Sequence, residues 1–156
     1  MRFDGVGRVP EPFLFVLEEL IEEGFIEDMG KQYTNGGRRP SIYGLKSSAG
    51  YFVGTDIGKT TISIAISDFK GQTIAFYDDI PFRVESSESS FRSLCTIILE
   101  HVQRSGIAST DVLAYGVNLS GRVNNETGYC FTYFIGEDRP IGSLLEEVLK
   151  APVFVE

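Results

Sequence analysis

Tryptophan is absent from this 156-residue chain, histidine occurs once and cysteine twice. Cys95 and Cys130 are too far apart and too few for a metal-type spacing, and two lone thiols fit an intracellular protein with no redox role. The single histidine, His101, stands beside Glu100 and Gln103 on a helix-like stretch and reads as a solvent-facing residue, neither ligand nor base. Ser120 has no His and Asp arranged around it, and no Gly-x-Ser-x-Gly elbow occurs, so serine hydrolysis is not expected. No apolar run approaches the ~20 residues of a membrane span. The first residues, MRFDGVGRVPEP, lack the apolar core of a signal peptide, so the expected location is the cytoplasm, with no membrane partner. Basic residues are scarce as well, 14 Lys and Arg against 22 Asp and Glu, a net charge of −8. That balance argues against a general nucleic-acid coat, which needs clustered cations, but leaves room for a small basic patch. Large apolar surface comes instead from 12 Phe and 7 Tyr, enough to build a core.

The chain has two segments with different patterning. In residues 13–23, FLFVLEELIEE, the residues Phe13, Val16, Leu17, Leu20 and Ile21 share one helical face, with Pro12 suited to the first turn and Gly24 to the stop. FIEDMGK reads as a strand, TNGGRRP as a turn and SIYGLK as a returning strand, a hairpin whose Asn-Gly-Gly supplies positive φ without strain. A helix followed at once by a hairpin is the back half of a winged helix-turn-helix. At the hairpin tip Arg38 and Arg39, with Lys31 nearby, are candidate contacts to DNA phosphates or a narrow minor groove; a solubilising hairpin tip is the competing reading. After Ser47-Ser48 the runs YFVGTDIG, TISIAISDF and TIAFYDDIPF predict a three-strand meander. Residues 89–106 predict a helix with Phe91, Leu94, Cys95, Ile98 and Val102 as its apolar stripe. LAYGVNLSG predicts a buried strand, GYCFTYF a short strand, PIGSLLEEVLK a helix and APVFVE a last strand. The order βββαβ(β)αβ implies an α/β fold with a mixed sheet and helices packed on it. The carboxylate pairs Asp78-Asp79 and Glu137-Asp138 are expected at strand ends or turns, in solvent, and NNETG at a hairpin loop.

TDIGKTTISIAISD sets Asp56, Gly58, Thr60 and Thr61 at a tight turn between two strands, where backbone N–H groups and hydroxyls can cradle a phosphate or other anion; taken alone, the short pattern reads first as a plain hairpin with an exposed Asp. The hairpin ending GGRRPSIYGL, then SAGYFVGTDIG, then YGVNLSGRVNNETGYC, then LLEEVLKAPVFVE form an order that resembles the ROK family (repressor, open reading frame, kinase). The likeness runs from about residue 12 to the last residue and is to the regulator branch, because kinases lack the helix and NGGRRP wing. It implies a ribonuclease-H-like, actin-like fold for residues 49–156, preceded by a partial winged helix-turn-helix over residues 1–48. Asp56, Gly58 and Thr60, with Lys59 between, match the phosphate loop. Asn118 to Val123 match the sugar-bordering region, with Asn118, Ser120 and Gly121 as sugar-binding candidates. Glu156 matches the Glu before the Asn-Asp pair that holds the kinases' base.

Three departures shape the expectation. The Asn-Asp pair, the Cys/His zinc motif and a second lobe are not in this sequence, which is therefore expected to be an incomplete chain without phosphotransfer. Lys59 stands where kinases usually carry Gly. The winged segment begins too late for two preceding helices, and its helix bears Glu18, Glu19, Glu22 and Glu23 in place of base-reading side chains. Residues 1–48 hold six basic against eight acidic residues and residues 49–156 eight against fourteen, so the wing is the only basic cluster. The expected function is a sugar-responsive repressor with no cofactor of its own, ATP with Mg and zinc being needed only in a full-length kinase-type relative. Its expected partners are DNA, bound weakly, a sugar effector in the parent, and further copies of itself. The alternatives are a sugar kinase and an inactive folded piece that self-associates.

Overall fold

The computed structural model describes residues 11–33, 39–124, 126–127, 129–130 and 139–156. It divides into two compact units, Met1–Ala49 and Gly50–Glu156.

The first unit is a helix and a hairpin. α1 (Glu11–Glu22) ends where Gly24 adopts φ +80°. There the Phe25 N–H reaches back to the Leu20 carbonyl at 3.0 Å, the usual way a glycine closes a helix. β1 (Ile26–Lys31) and β2 (Ser41–Leu45) pair antiparallel. Of the turn expected over 34–40, residues 34–38, Arg38 among them, lie outside the described residues. None of the described side chains between residues 13 and 49 is buried; Phe13, Phe15, Val16, Met29 and Tyr33 are all exposed. On the expected helical face Leu17 and Leu20 are half-buried, while Phe13, Val16 and Ile21 stay exposed among the described residues.

The second unit is a five-stranded mixed sheet, ordered β5-β4-β3-β6-β9. β3 (Tyr51–Ile57), β4 (Thr61–Asp68) and β5 (Thr73–Pro81) form the expected antiparallel meander. β6 (Val112–Leu119) and β9 (Val153–Val155) extend it in parallel on the β3 side. A short ladder, β7 (Val123–Asn124) with β8 (Tyr129–Cys130), stands apart, its loop begun by the Asn124 side chain accepting from the N–H groups of Glu126 and Thr127. Alternation along β4 sends Ile62, Ile64 and Ile66 to one face, where they are fully buried. α2 (Glu88–Arg104) and α3 (Ile141–Leu149) contribute Leu94, Ile98, Leu145 and Leu149 to the same core. Removing one such side chain, Ile98→Ala for example, costs about 2–5 kcal/mol. The Asp68 carboxylate accepts from the N–H groups of Lys70 and Gln72, both at 2.9 Å, and so fixes the β4–β5 turn with Gly71 at φ +80°.

Two expectations are corrected. His101 is buried, only 7% exposed. Its spacing from Leu94 and Ile98, seven and three residues, puts it on their stripe whatever its immediate neighbours are. Its Nδ1 lies 2.7 Å from the Ile97 carbonyl, and its ring meets Tyr77 edge-on at 4.8 Å. Asp78 and Asp79 lie within β5 at a bulge, not at its end: the register skips between Ile62–Ile80 and Ile64–Tyr77, and Asp79 takes φ +51° to absorb the extra residue. Both are exposed, as expected. Glu137 and Asp138 lie outside the described residues.

Candidate functional site

Strand pairing alone brings the distant motifs together. In the parallel pair, Asp56 near the end of β3 registers with Asn118 near the end of β6. Ile57, Thr55, Val117 and Leu119 face the core, so Asp56 and Asn118 face the other way, into solvent. The Asn118 side-chain amide donates to the Asp56 carboxylate at 2.7 Å. Next in line, the Glu156 N–H donates to the Val117 carbonyl and the Leu119 N–H to the Glu156 carbonyl, both at 2.9 Å, which sets Glu156 beside Asn118.

The loops above these strand ends are stitched to each other. The Gly58 N–H donates to the Thr61 carbonyl at 2.9 Å and the Phe82 N–H to the Thr60 carbonyl at 3.0 Å. A Cβ on Gly58 would sit 3.2 Å from the Thr61 carbonyl oxygen, so the turn is tight enough to favour glycine. Lys59 and Thr60 project into solvent. The Ser120 N–H donates to the Ile57 carbonyl at 3.0 Å and the Gly121 N–H to the Leu119 carbonyl at 2.7 Å, placing both residues directly beside the Gly58 turn.

Ser63 and Asp78 also belong to the site, although no sequence motif marks them. Ser63 registers with Asp56, and its hydroxyl donates to the Asp78 carboxylate at 2.5 Å. That bond, with the Asp79 N–H, holds the Asp78 carboxyl below its ordinary value. Only the bulge places Asp78 here, and a bulge leaves no mark in residue alternation. The concavity on this face has a volume of about 440 Å³ and is lined by Asp56, Ser63, Asn118 and Glu156 above and by Gly54, Ala65, Gly116, Phe76 and Phe154 below. Two lining carboxylates, Asp56 and Glu156, with an amide and a hydroxyl suit a neutral, hydroxyl-rich ligand, which donates to carboxylates and accepts from the amide. Among the described residues no group of three or more His, Cys, Asp and Glu is placed to hold a metal ion. None of the described helices is long and apolar enough to cross a membrane.

At the hairpin, Lys31 ends β1 opposite Ser41. The Arg39 guanidinium lies over the Tyr33 ring, 5.5 Å from its centre, and both residues are exposed. Arg38 lies outside the described residues.

No protein-family model matches the chain. It is 26% identical over 145 residues to the xylose repressor of Caldicellulosiruptor bescii, a match that takes in 89% of this chain and 35% of that protein. Among solved structures, a ROK family transcriptional regulator described as a homolog of the E. coli MLC protein matches with a TM-score of 0.68 over 94% of this chain and 38% of its own, at 18% identity. The ROK hexokinase from Thermus thermophilus matches with a TM-score of 0.52 at 27% identity, over 68% of this chain and 34% of its own. The chain thus spans about a third of the length of the curated relatives it matches. The expected α/β fold is the one these ROK structures share.

Proposed function

From this kinship with ROK-family regulators, we propose that the chain serves sugar-responsive repression of transcription. The observation that carries the reading is coverage: the regulator structure takes in 94% of the chain, whereas the hexokinase stops at 68%, about the share that Gly50–Glu156 makes up. The helix and hairpin are what the regulator match adds. In this reading residues 1–48 are the end of a winged DNA-binding domain and residues 49–156 a lobe of the sugar-binding domain.

The roles follow from the geometry. Asn118, Ser120 and Gly121, with Asp56, take the hydroxyls of a sugar, xylose being the first to try because the relatives are named for it. Gly58, Lys59 and Thr60 form a phosphate-type turn kept as a structural rim. A sugar that binds one arrangement of this lobe more tightly than another shifts the population toward it, and so changes the DNA-bound fraction. Lys31, Arg38 and Arg39 contact phosphates or the minor groove. The uncovered apolar side chains of residues 13–45 favour self-association, and the protein works in the cytoplasm.

Kinase chemistry is the weaker reading. A magnesium-bound nucleotide is held through one or two protein carboxylates together with its own phosphates and waters, and the carboxylate beside the phosphate-type turn is Asp56. Asp56 is engaged by Asn118, and Lys59 stands at the turn. No phosphotransfer step is assigned to this chain.

The test is a titration of a labelled DNA duplex with the whole chain at low salt, with and without xylose. Binding that weakens steeply with salt is expected, together with shifts of the Asn118 and Asp56 amide signals on adding sugar. No binding even at the lowest salt would remove the DNA half of the reading. A sugar panel that leaves those amides unmoved would remove the other half.

A further inference from the structure

Beside the point where the chain enters the five-stranded sheet, β6 breaks its own alternation. Tyr115, Val117 and Leu119 face the core at every second position, yet Val112 is buried as well, three positions before Tyr115. The register shows the cause. Tyr51 pairs with Val112 and Phe52 with Ala114, so Leu113 is an extra residue in a bulge. Bulges are rare in parallel pairs, and they re-aim a side chain. From Phe52–Ala114 to Ile57–Leu119 the ladder then runs without a further shift.

The re-aimed side chain is Leu113, and it lies on Gly50. A Cβ on Gly50 would be 2.4 Å from Leu113 Cδ1, 2.5 Å from Cγ and 3.0 Å from Cδ2, so no side chain fits there while Leu113 keeps its place. Gly50 has no positive φ, so its backbone does not call for glycine; the leucine does. Gly50 is buried although it stands outside the strands, and the leucine against it is 37% exposed. A partly exposed leucine in a bulge adds little to the core. Its contact is with the first residue of Gly50–Glu156, where the segment from the hairpin arrives. That segment is itself held. The Lys46 N–H donates to the Phe25 carbonyl at 2.9 Å, and the Ala49 N–H to the Lys46 carbonyl at 3.0 Å across the single turn Ser47–Ala49.

We propose that Leu113 over Gly50 is a latch that couples the connecting segment to the β3–β6 seam, so that a change at the far end of the seam is felt at residues 46–50. The far end is the Asp56–Asn118 bond, roughly 20 Å from Gly50 along an extended strand. One unbroken ladder joins the two ends, and coupling over such distances is carried by rigid elements and packed side chains. The bulge is where this ladder gives, so a tilt imposed at Asn118 is expressed at Leu113 and passed to Gly50. The latch gives the proposed repressor a route from its ligand site toward the hairpin. That use rests on the reading above, whereas the latch itself is tested without sugar or DNA.

The experiment reads the amide signals of the isotope-labelled whole chain. Its perturbation is Asn118→Asp, which sets two like charges face to face at the far end of the seam. Ala49, Gly50 and Leu113 should shift about threefold more than Lys70 and Gly71. Those two lie at the same end of the sheet as Gly50 but beyond the antiparallel seam, where Asp68 pairs with Tyr51. In a Leu113→Ala background the excess should vanish, while the shifts next to Asn118 remain. Leu113→Ala alone should speed hydrogen exchange at the Ala49 N–H about fivefold and leave exchange along β4 unchanged. If Leu113→Ala fails to fold, Gly50→Ala, which pushes Leu113 aside, supplies the same readouts. The proposal is overturned if Asn118→Asp shifts the two groups equally, if the excess survives in the latch variant, or if that variant exchanges at Ala49 like the original chain. A sugar that fails to bind removes the repressor reading and leaves these outcomes as they are.

Discussion

Asn118 holds Asp56 through a side-chain hydrogen bond of 2.7 Å between residues 62 positions apart in the chain. The bond crosses the parallel seam of β3 with β6, where a meander meets a strand that returns after α2. It fixes one carboxylate oxygen of Asp56, so any ligand at the strand ends meets a carboxylate of set orientation. Asn118→Ala should cost about 0.5–1.5 kcal/mol of stability by chemical denaturation. Asn118→Asp should cost more at neutral pH, since two like charges then face each other, and part of that loss should be recovered in acid. Equal stability of Asn118→Asp and the original chain at neutral pH would show that the bond carries nothing.

The chain is expected to show no sugar phosphorylation. A coupled assay with ATP and a panel of pentoses, hexoses and aminosugars checks this. Turnover that disappears on Asp56→Ala would reverse the assignment.

His101 should matter for folding, not for ligand binding. It fills the α2 stripe, with Nδ1 at 2.7 Å from the Ile97 carbonyl and its ring edge-on to Tyr77, over which Arg104 also sits, 5.7 Å from the ring centre. His101→Ala removes a packed ring and a part-buried hydrogen bond, and a loss of about 2–4 kcal/mol is expected, well above an exposed helix position. Urea denaturation measures it; a loss of a few tenths would restore the solvent-facing reading.

Burial pushes the Cys95 thiol up from 9.0 to about 11. Its folded value is therefore above its unfolded one, so folding favours the protonated thiol. The stability this contributes is fully present below pH 9.0 and is lost as the pH rises toward 11. Stability should fall over that window, and Cys95→Ala should show a smaller fall. Cys95 should resist iodoacetamide in the native chain and react on unfolding, while half-buried Cys130 reacts sooner.

Local signals make most of the architecture legible. TISIAISD alternates cleanly, and every second residue is buried in β4. The α2 stripe is legible by spacing. His101 escapes it only when its adjacent polar residues are weighed ahead of those three and seven positions away. What stays hidden depends on register between distant strands. Neither the Asp56–Asn118 bond nor the Leu113 bulge beside Gly50 can be seen until β3 and β6 are aligned. Asp78 enters the strand-end cluster through a bulge, which shifts residues without changing composition. The hairpin is legible from its turn residues, but the stacking of Arg39 on Tyr33 is not, because the two lie on opposite arms.

That stacked pair sharpens the expectation for DNA binding. A cation over an exposed aromatic face is held by about 0.5–1 kcal/mol, enough to bias Arg39 toward one direction without removing its charge from solvent. If the hairpin contacts DNA, it does so through phosphate or the minor groove, because Arg38 and Arg39 belong to the turn-type stretch TNGGRRP of the sequence and not to a helix-type one. Removing one cation that touches a phosphate should lower the slope of log affinity against log salt by about one unit. Arg38→Ala with Arg39→Ala should therefore weaken binding to any duplex by similar factors and flatten the salt dependence by about two units. Tyr33→Ala leaves both charges in place, so it should weaken binding by a smaller factor, about two- to fivefold, with the salt slope unchanged. Fluorescence anisotropy across a salt series separates these outcomes. A double arginine variant that binds like the original at every salt concentration would make this stretch an ordinary solubilising turn. A Tyr33→Ala slope that drops with the arginine variant's would show that the ring controls the phosphate contact itself and not merely its direction.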